Sequence, residues 1–148
     1  MKILANNKKV KYDYEIIETY EAGISLLGAE VKSIKSGKIS IKESFISVND
    51  KGLFLKNAQV TIPAHITMDR PKEKRDRQLL LNKSEIKELK REVERKGLTI
   101  MPTKIYLNKK GFVKIEIALV KGKKNYDKRE TIKKRDQDRQ IKRELKNY

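Results

Sequence analysis

The stretch "LTIMPTKIYLNKKGFVKIEIALV", residues 98–120, decides the architecture. In its second half Val113, Ile115, Ile117 and Leu119 recur at every other position, with Lys114 and Glu116 between them. That period belongs to a strand with one face in a core and the other in water. The first half, "LTIMPTKIYL", is apolar and β-branched enough to be its partner, and "NKKG" between them has turn chemistry. A β-hairpin is therefore expected here, and with it an antiparallel sheet.

The same pattern recurs upstream. "KISIKESFISVND" has β character, Asn49–Gly52 ("NDKG") suits a hairpin turn, and "LFLKNAQVTI" is the returning strand. In "YDYEIIETYEA", Tyr12, Tyr14 and Ile16 fall on one face of a strand and Asp13 and Glu15 on the other. Two segments carry a helical period instead. "SLLGAEVKSIKSGK" places Leu27, Val31 and Ile34 on one stripe, with Gly37 as its stop. After "QLLL", Asn82 and Glu85 fit a capping box, Ile86, Leu89 and Val93 form an apolar face, and Gly97 ends the helix. Residues 63–77, "PAHITMDRPKEKRDR", contain two prolines and no period, and are expected to form an exposed basic loop. Five or six short antiparallel strands and two or three short helices in about 120 residues predict a mainly β protein. A small closed or partly closed barrel of OB type, an architecture that binds oligonucleotides, is the leading expectation.

Charge points to the partner. Among 148 residues, 37 are Lys or Arg and 20 are Asp or Glu, a net +17. Such an excess suits a polyanion, either nucleic acid or an anionic membrane surface. No apolar run approaches the ~18 residues of a membrane span, and "MKILANNKKVKYDYE" lacks the apolar core of a secretory signal. The chain has no cysteine, which suits a reducing compartment; the expected location is the cytoplasm.

The final stretch, "KGKKNYDKRETIKKRDQDRQIKRELKNY", has twelve basic and five acidic residues among its twenty-eight. From Asp127 onward its apolar residues are Ile132, Ile141, Leu145 and Tyr148. Their burial falls well short of the entropy lost in ordering about 22 residues, so a tail disordered in the free protein is expected. Wound as a helix, it would bring Lys128, Arg135, Arg139, Lys142 and Lys146 within about 40° of one line. A basic stripe of this kind suits a helix formed against a phosphate backbone, although a solubilising charge run would share the composition. Just before it, Lys121, Lys123 and Lys124 are placed to neutralise phosphates, and Tyr126 offers a ring for stacking. The expected division is an RNA-binding barrel over 1–122 and a basic tail over 123–148.

Together these motifs resemble the SsrA-binding protein family, also called small protein B, the bacterial partners of transfer-messenger RNA. The stretches that carry the resemblance are "ANNKK", "YDYEIIETYEAGISLLGAEVKSIKSGK", "LLLN", "KGLTIMPTKIY", "KIEIALVKGKKNYDKR" and "IKKRD", spread over nearly the whole chain. The resemblance implies an OB-like barrel that binds the tRNA-like part of transfer-messenger RNA and delivers it to stalled ribosomes for trans-translation. Glu30, Leu80 and Asn82 match positions of the family's RNA-binding patches, and Lys32, Lys35, Arg75 and Arg77 are the basic residues expected to accompany them. Glu30 would accept hydrogen bonds from base edges or orient Lys32, since phosphate repels a carboxylate. Sequence alone favours a first-turn carboxylate stabilised by the helix dipole, and the resemblance reverses that preference. Lys123, Lys124, Tyr126, Asp127, Lys128 and Arg129 match the family's tail motif, implied to enter the small ribosomal subunit and sense an empty messenger channel. Gln78 departs from the family's usual basic residue before "LLL", and Arg75 and Arg77 are expected to compensate. Tyr12 replaces a common histidine.

Enzyme chemistry finds little support in the residues. His65 is the only histidine and has no cysteine to join it at a metal. Asp13, Glu15, Glu18 and Glu21 are strung along a strand, and no phosphate-cradling Gly-rich loop is present. No metal or cofactor is expected. A monomeric RNA-binding adaptor is the leading expectation; a general basic RNA-binding protein and a nuclease are the alternatives.

Overall fold

The computed structural model describes residues 1–122. The expected tail residues Lys123, Lys124, Tyr126, Asp127, Lys128, Arg129, Arg135, Arg139, Lys142 and Lys146 lie outside the described residues. In chain order the elements are β1 (Lys2–Asn6), α1 (Lys9–Asp13), β2 (Tyr14–Ile24), α2 (Gly28–Lys35), β3 (Ile39–Ser40), β4 (Phe45–Asn49) and β5 (Gly52–Lys56). They continue with β6 (Gln59–Val60), β7 (Arg77–Leu80), α3 (Lys83–Lys96), β8 (Thr99–Leu107) and β9 (Val113–Gly122).

The 98–120 hairpin forms as β8 and β9, paired antiparallel around a turn in which Asn108 Oδ1 accepts from the amides of Lys110 and Phe112. It sits near one end of a seven-stranded sheet ordered β1-β8-β9-β2-β7-β5-β4, with β3 and β6 as a separate two-stranded ribbon. The class is β, as expected, but the sheet is not closed. Strand β4 approaches β8 across the core yet hydrogen-bonds only to β5, so the ladder ends there. The "NDKG" turn is also present: Asn49 pairs with Gly52, and Gly52 has φ +126°, which a side chain would resist.

The main core lies on one face of the sheet. Ile115, Ile117 and Leu119 of β9 meet Ile100 and Ile105 of β8, Leu53 and Leu55 of β5, Leu79 of β7, Ile34 of α2 and Leu89 of α3. Ala118 and Val120 point to the opposite face and are buried there with Val10 of α1. Both faces of β9 are thus covered near its end, which is why "IALV" is continuously apolar.

Two expectations change. Tyr12 and Asp13 belong to the five-residue helix α1, and the strand begins at Tyr14. Seating Val10 against Ala118 and Val120 decides this, a contact no local pattern encodes. Within β2 a bulge between Ile16 and Glu18 inserts one residue, leaving Ile17 exposed. Before it Tyr14 and Ile16 face the α1 cluster; after it Tyr20, Ala22 and Ile24 face the main core. Leu27, expected on the α2 stripe, instead lies before the first turn and is exposed, while Glu30 occupies the buried side beside Ser33 and Ile34.

Helix α3 follows its sequence signals. Asn82 Oδ1 accepts from the Glu85 amide, Leu89 is fully buried, and Gly97 stops the helix with φ +63°.

Candidate nucleic-acid interface

Glu30, Arg75 and Arg77 meet in one knot. One Glu30 oxygen accepts from Arg75 at 2.6 Å and from the Leu27 amide at 2.8 Å. The other accepts from Arg77 Nε at 2.7 Å and Arg75 Nε at 3.2 Å. Glu30 and Arg77 are both 0% exposed, and the side chain of Arg75 is 31% exposed. Burial works to raise the Glu30 pKa, but the bonds from Arg75 and Leu27 and the Arg77 charge outweigh it and hold the carboxyl below its ordinary value. Burial pulls the Arg77 pKa down from its ordinary value, and Glu30 opposes that pull. The remaining Arg77 donors go to the carbonyls of Ala58, Glu73 and Arg75.

This arrangement bears on two expectations. With both oxygens engaged and no surface exposed, Glu30 offers nothing to a base edge. Arg77 likewise offers nothing to a phosphate and cannot replace a basic residue at position 78. Both act inside the fold, tying the loop before β7 to α2. The aperiodic loop is ordered by charged side chains satisfying its backbone. Arg70 donates to the carbonyls of Ile62, Pro63 and Ile66, and Glu73 accepts from the Ile62 amide.

The remaining expected residues lie at the surface. Lys32 and Lys35 are exposed on α2, Leu80 on β7, Asn82 at the start of α3, and Lys121 at the end of β9 opposite Glu15. Asn82 spends its carbonyl oxygen on capping, accepting from the Glu85 amide at 2.9 Å and Ser84 Oγ at 2.8 Å. Leu80 and Lys35 line one shallow cavity of about 300 Å³, with Gly23, Ile24, Leu26, Val31, Phe112 and Lys114. Among the described residues no three His, Cys, Asp or Glu side chains gather as a metal site. The β2 carboxylates Glu18 and Glu21 accept instead from the hydroxyls of Tyr20 and Tyr106. Both phenols are held protonated, their pKa raised by burial first and by those carboxylates second. No helix among the described residues is long and apolar enough to cross a membrane.

The family model for the SmpB protein matches residues 4–147. The chain belongs to the SmpB protein family. It is 51% identical over 145 residues to the SsrA-binding protein of Fusobacterium nucleatum, covering 98% of this chain and 97% of that one. With the SsrA-binding protein of Chlorobaculum tepidum it shares 49% over 143 residues, 97% of this chain and 91% of the relative. A solved structure described as "tmRNA-SmpB: a journey to the center of the bacterial ribosome" superposes with a TM-score of 0.66 at 40% identity. That match covers 86% of this chain and 92% of the other. In this SmpB-family chain Gly23, Phe112 and Lys114 line the cavity without belonging to any motif that marks them as site residues. Phe112 is 61% exposed next to the hairpin turn. An aromatic residue directly after "NKKG", outside the alternation that ends at Val113, was the available signal.

Proposed function

We propose that this chain is an RNA-binding adaptor, not an enzyme. It binds the tRNA-like part of transfer-messenger RNA and delivers it to stalled ribosomes for trans-translation. The observation that carries this is membership of the SmpB family over residues 4–147, with relatives called SsrA-binding protein at about half identity over almost their full length. A solved relative that sits with tmRNA in the bacterial ribosome supports the same partners. The net charge of +17 provides the long-range attraction both RNAs need.

Within this function we assign RNA contact to the exposed Lys32, Lys35, Leu80, Asn82 and Lys121, and a flanking role to Arg75 through its exposed edge. Glu30 and Arg77 act as positioning residues that hold α2 and the loop before β7 in one arrangement. The basic segment 123–148 completes the proposal from its sequence. Lys123, Lys124, Tyr126, Asp127, Lys128 and Arg129, with Arg135, Arg139, Lys142 and Lys146, form the part that contacts small-subunit RNA along an empty messenger channel. Such an adaptor works in the cytoplasm and as a monomer before it binds.

Competition at physiological salt tests the proposal. Labelled tRNA-like RNA should stay bound in the presence of excess ordinary tRNA, because the folded face reads shape as well as charge. Displacement by ordinary tRNA would reduce the chain to a general basic RNA binder.

A further inference from the structure

In the ladder of β2, Gly23 is directly opposite Leu80 of β7 on one side and Lys114 of β9 on the other. Directly opposed residues of an antiparallel pair share a face. Leu80 and Lys114 therefore flank a position that has no side chain. A Cβ built at Gly23 would lie 3.3 Å from Leu80 Cβ and 3.6 Å from Leu80 Cδ1, so Leu80 leans over the glycine and any larger residue would crowd it. The gap opens into the cavity described above, bounded by Val31 and Lys35 of α2 and by Phe112 after the β8–β9 turn. Two of its walls are large apolar side chains left in water, Phe112 at 61% and Leu80 at 55% exposure. Its two cations, Lys35 and Lys114, have no carboxylate within ion-pair distance among the described residues.

A flat ring and a leucine beside a bare stretch of backbone form a slot for a flat apolar group. Lysines at the rim place negative charge beside that group. Both demands are met by one nucleotide of single-stranded RNA, whose base has two π-faces and whose neighbours are phosphates. We propose that the cavity receives one unstacked base of the bound RNA, stacked on Phe112 over the Gly23 gap, with the adjoining phosphates at Lys35 and Lys114. This rests on the RNA-binding function proposed above and adds the chemical nature of one contact. Because every base has a π-face, the slot selects where the RNA presents an unpaired base and not which base it is.

The 148 residues contain no tryptophan, so Phe112→Trp creates a single reporter at the slot. Two readouts are taken on one titration: anisotropy of labelled tRNA-like RNA for binding, and tryptophan emission for stacking. The expected result is near wild-type affinity with emission quenched at saturation. Phe112→Ala should weaken binding roughly 5- to 150-fold, the range of a lost base stack. Gly23→Val should fill the gap and weaken binding as well, with circular dichroism confirming its fold. If anisotropy saturates while emission stays constant, the slot is empty in the complex and the inference falls while the adaptor function stands. A blue shift without quenching would mean that an apolar protein segment covers Phe112, which also overturns it. Wild-type chain that fails to bind the RNA selectively would instead remove the function on which the inference rests.

Discussion

At the residue scale, Glu30 is a charge held wholly inside the fold by two arginines. Its carboxylate is the only acid in contact with Arg77 within ion-pair distance among the described residues, and neither group reaches solvent. Removing one partner of a buried pair strands the other, at a cost of about 3–5 kcal/mol. Glu30→Gln should lower the unfolding free energy read from urea titration by that amount, and affinity for RNA should fall together with folded fraction. A variant of wild-type stability that had lost affinity would restore direct contact. The folded pKa of Glu30 lies below its value in the unfolded chain, where a glutamate titrates at about 4.3. Its contribution is then complete above that unfolded value and is lost as pH falls through the folded one. Acid unfolding of the wild type should show this loss, and Glu30→Gln should flatten it. Asn82 makes a different contribution: its side chain caps α3, so Asn82→Ala should cost about 1 kcal/mol of stability. Any further loss of RNA affinity in folded Asn82→Ala protein measures its contact with RNA.

At the element scale, α3 and the β8–β9 hairpin are locally specified and anchor the rest. Helix α3 has a cap at Asn82, a stop at Gly97 and a single fully buried residue, Leu89, in the main core. Leu89→Ala should therefore destabilise by about 2–5 kcal/mol, read from chemical unfolding. The exposed pair between Lys90 and Asp50, which links α3 to the β4–β5 turn, should be dispensable. Asp50→Asn is expected to leave the unfolding midpoint unchanged, since solvent screens such pairs. In β2 the bulge after Ile16 serves both layers at once, giving Tyr14 and Ile16 to α1 and Ala22 and Ile24 to the core. It also sets the parity that puts Gly23, opposite Leu80 and Lys114, on the face away from the core.

At the scale of the whole molecule, the open sheet carries a stable body and the charge supplies the reach. Affinity for RNA should fall steeply with salt through counterion release, while the preference for the tRNA-like RNA over ordinary tRNA persists. Loss of that preference at the same salt would mean that charge alone recognises the ligand. Deleting everything after Lys124 should leave RNA binding largely intact and abolish rescue of stalled ribosomes. Tagging of stalled products by the truncated chain in a reconstituted translation reaction would refute the role given to the tail.

The sequence by itself determined what short-range pattern can encode. Alternation specified the hairpin at 98–120, caps and a stop bounded α3, and the charge balance pointed to a polyanionic partner, because each depends on residues within a few positions or on composition. The long motifs "EAGISLLGAEVKS" and "KGKKNYDKR" carried the family. Tertiary structure alone decided where charge is buried and where the surface is concave. Glu30 finds its partners 45 and 47 residues away, so a helix carboxylate, a loop arginine and the first residue of β7, all of which look like surface groups, become an internal knot. Helix α1 exists because Val10 has Ala118 and Val120 to pack on, and the sheet stays open because β4 and β8 approach without pairing. The slot beside Phe112 joins residues from β2, α2, β7 and the β8–β9 turn. Long-range contacts of this kind depend on how the strands are ordered, and no local period contains that order.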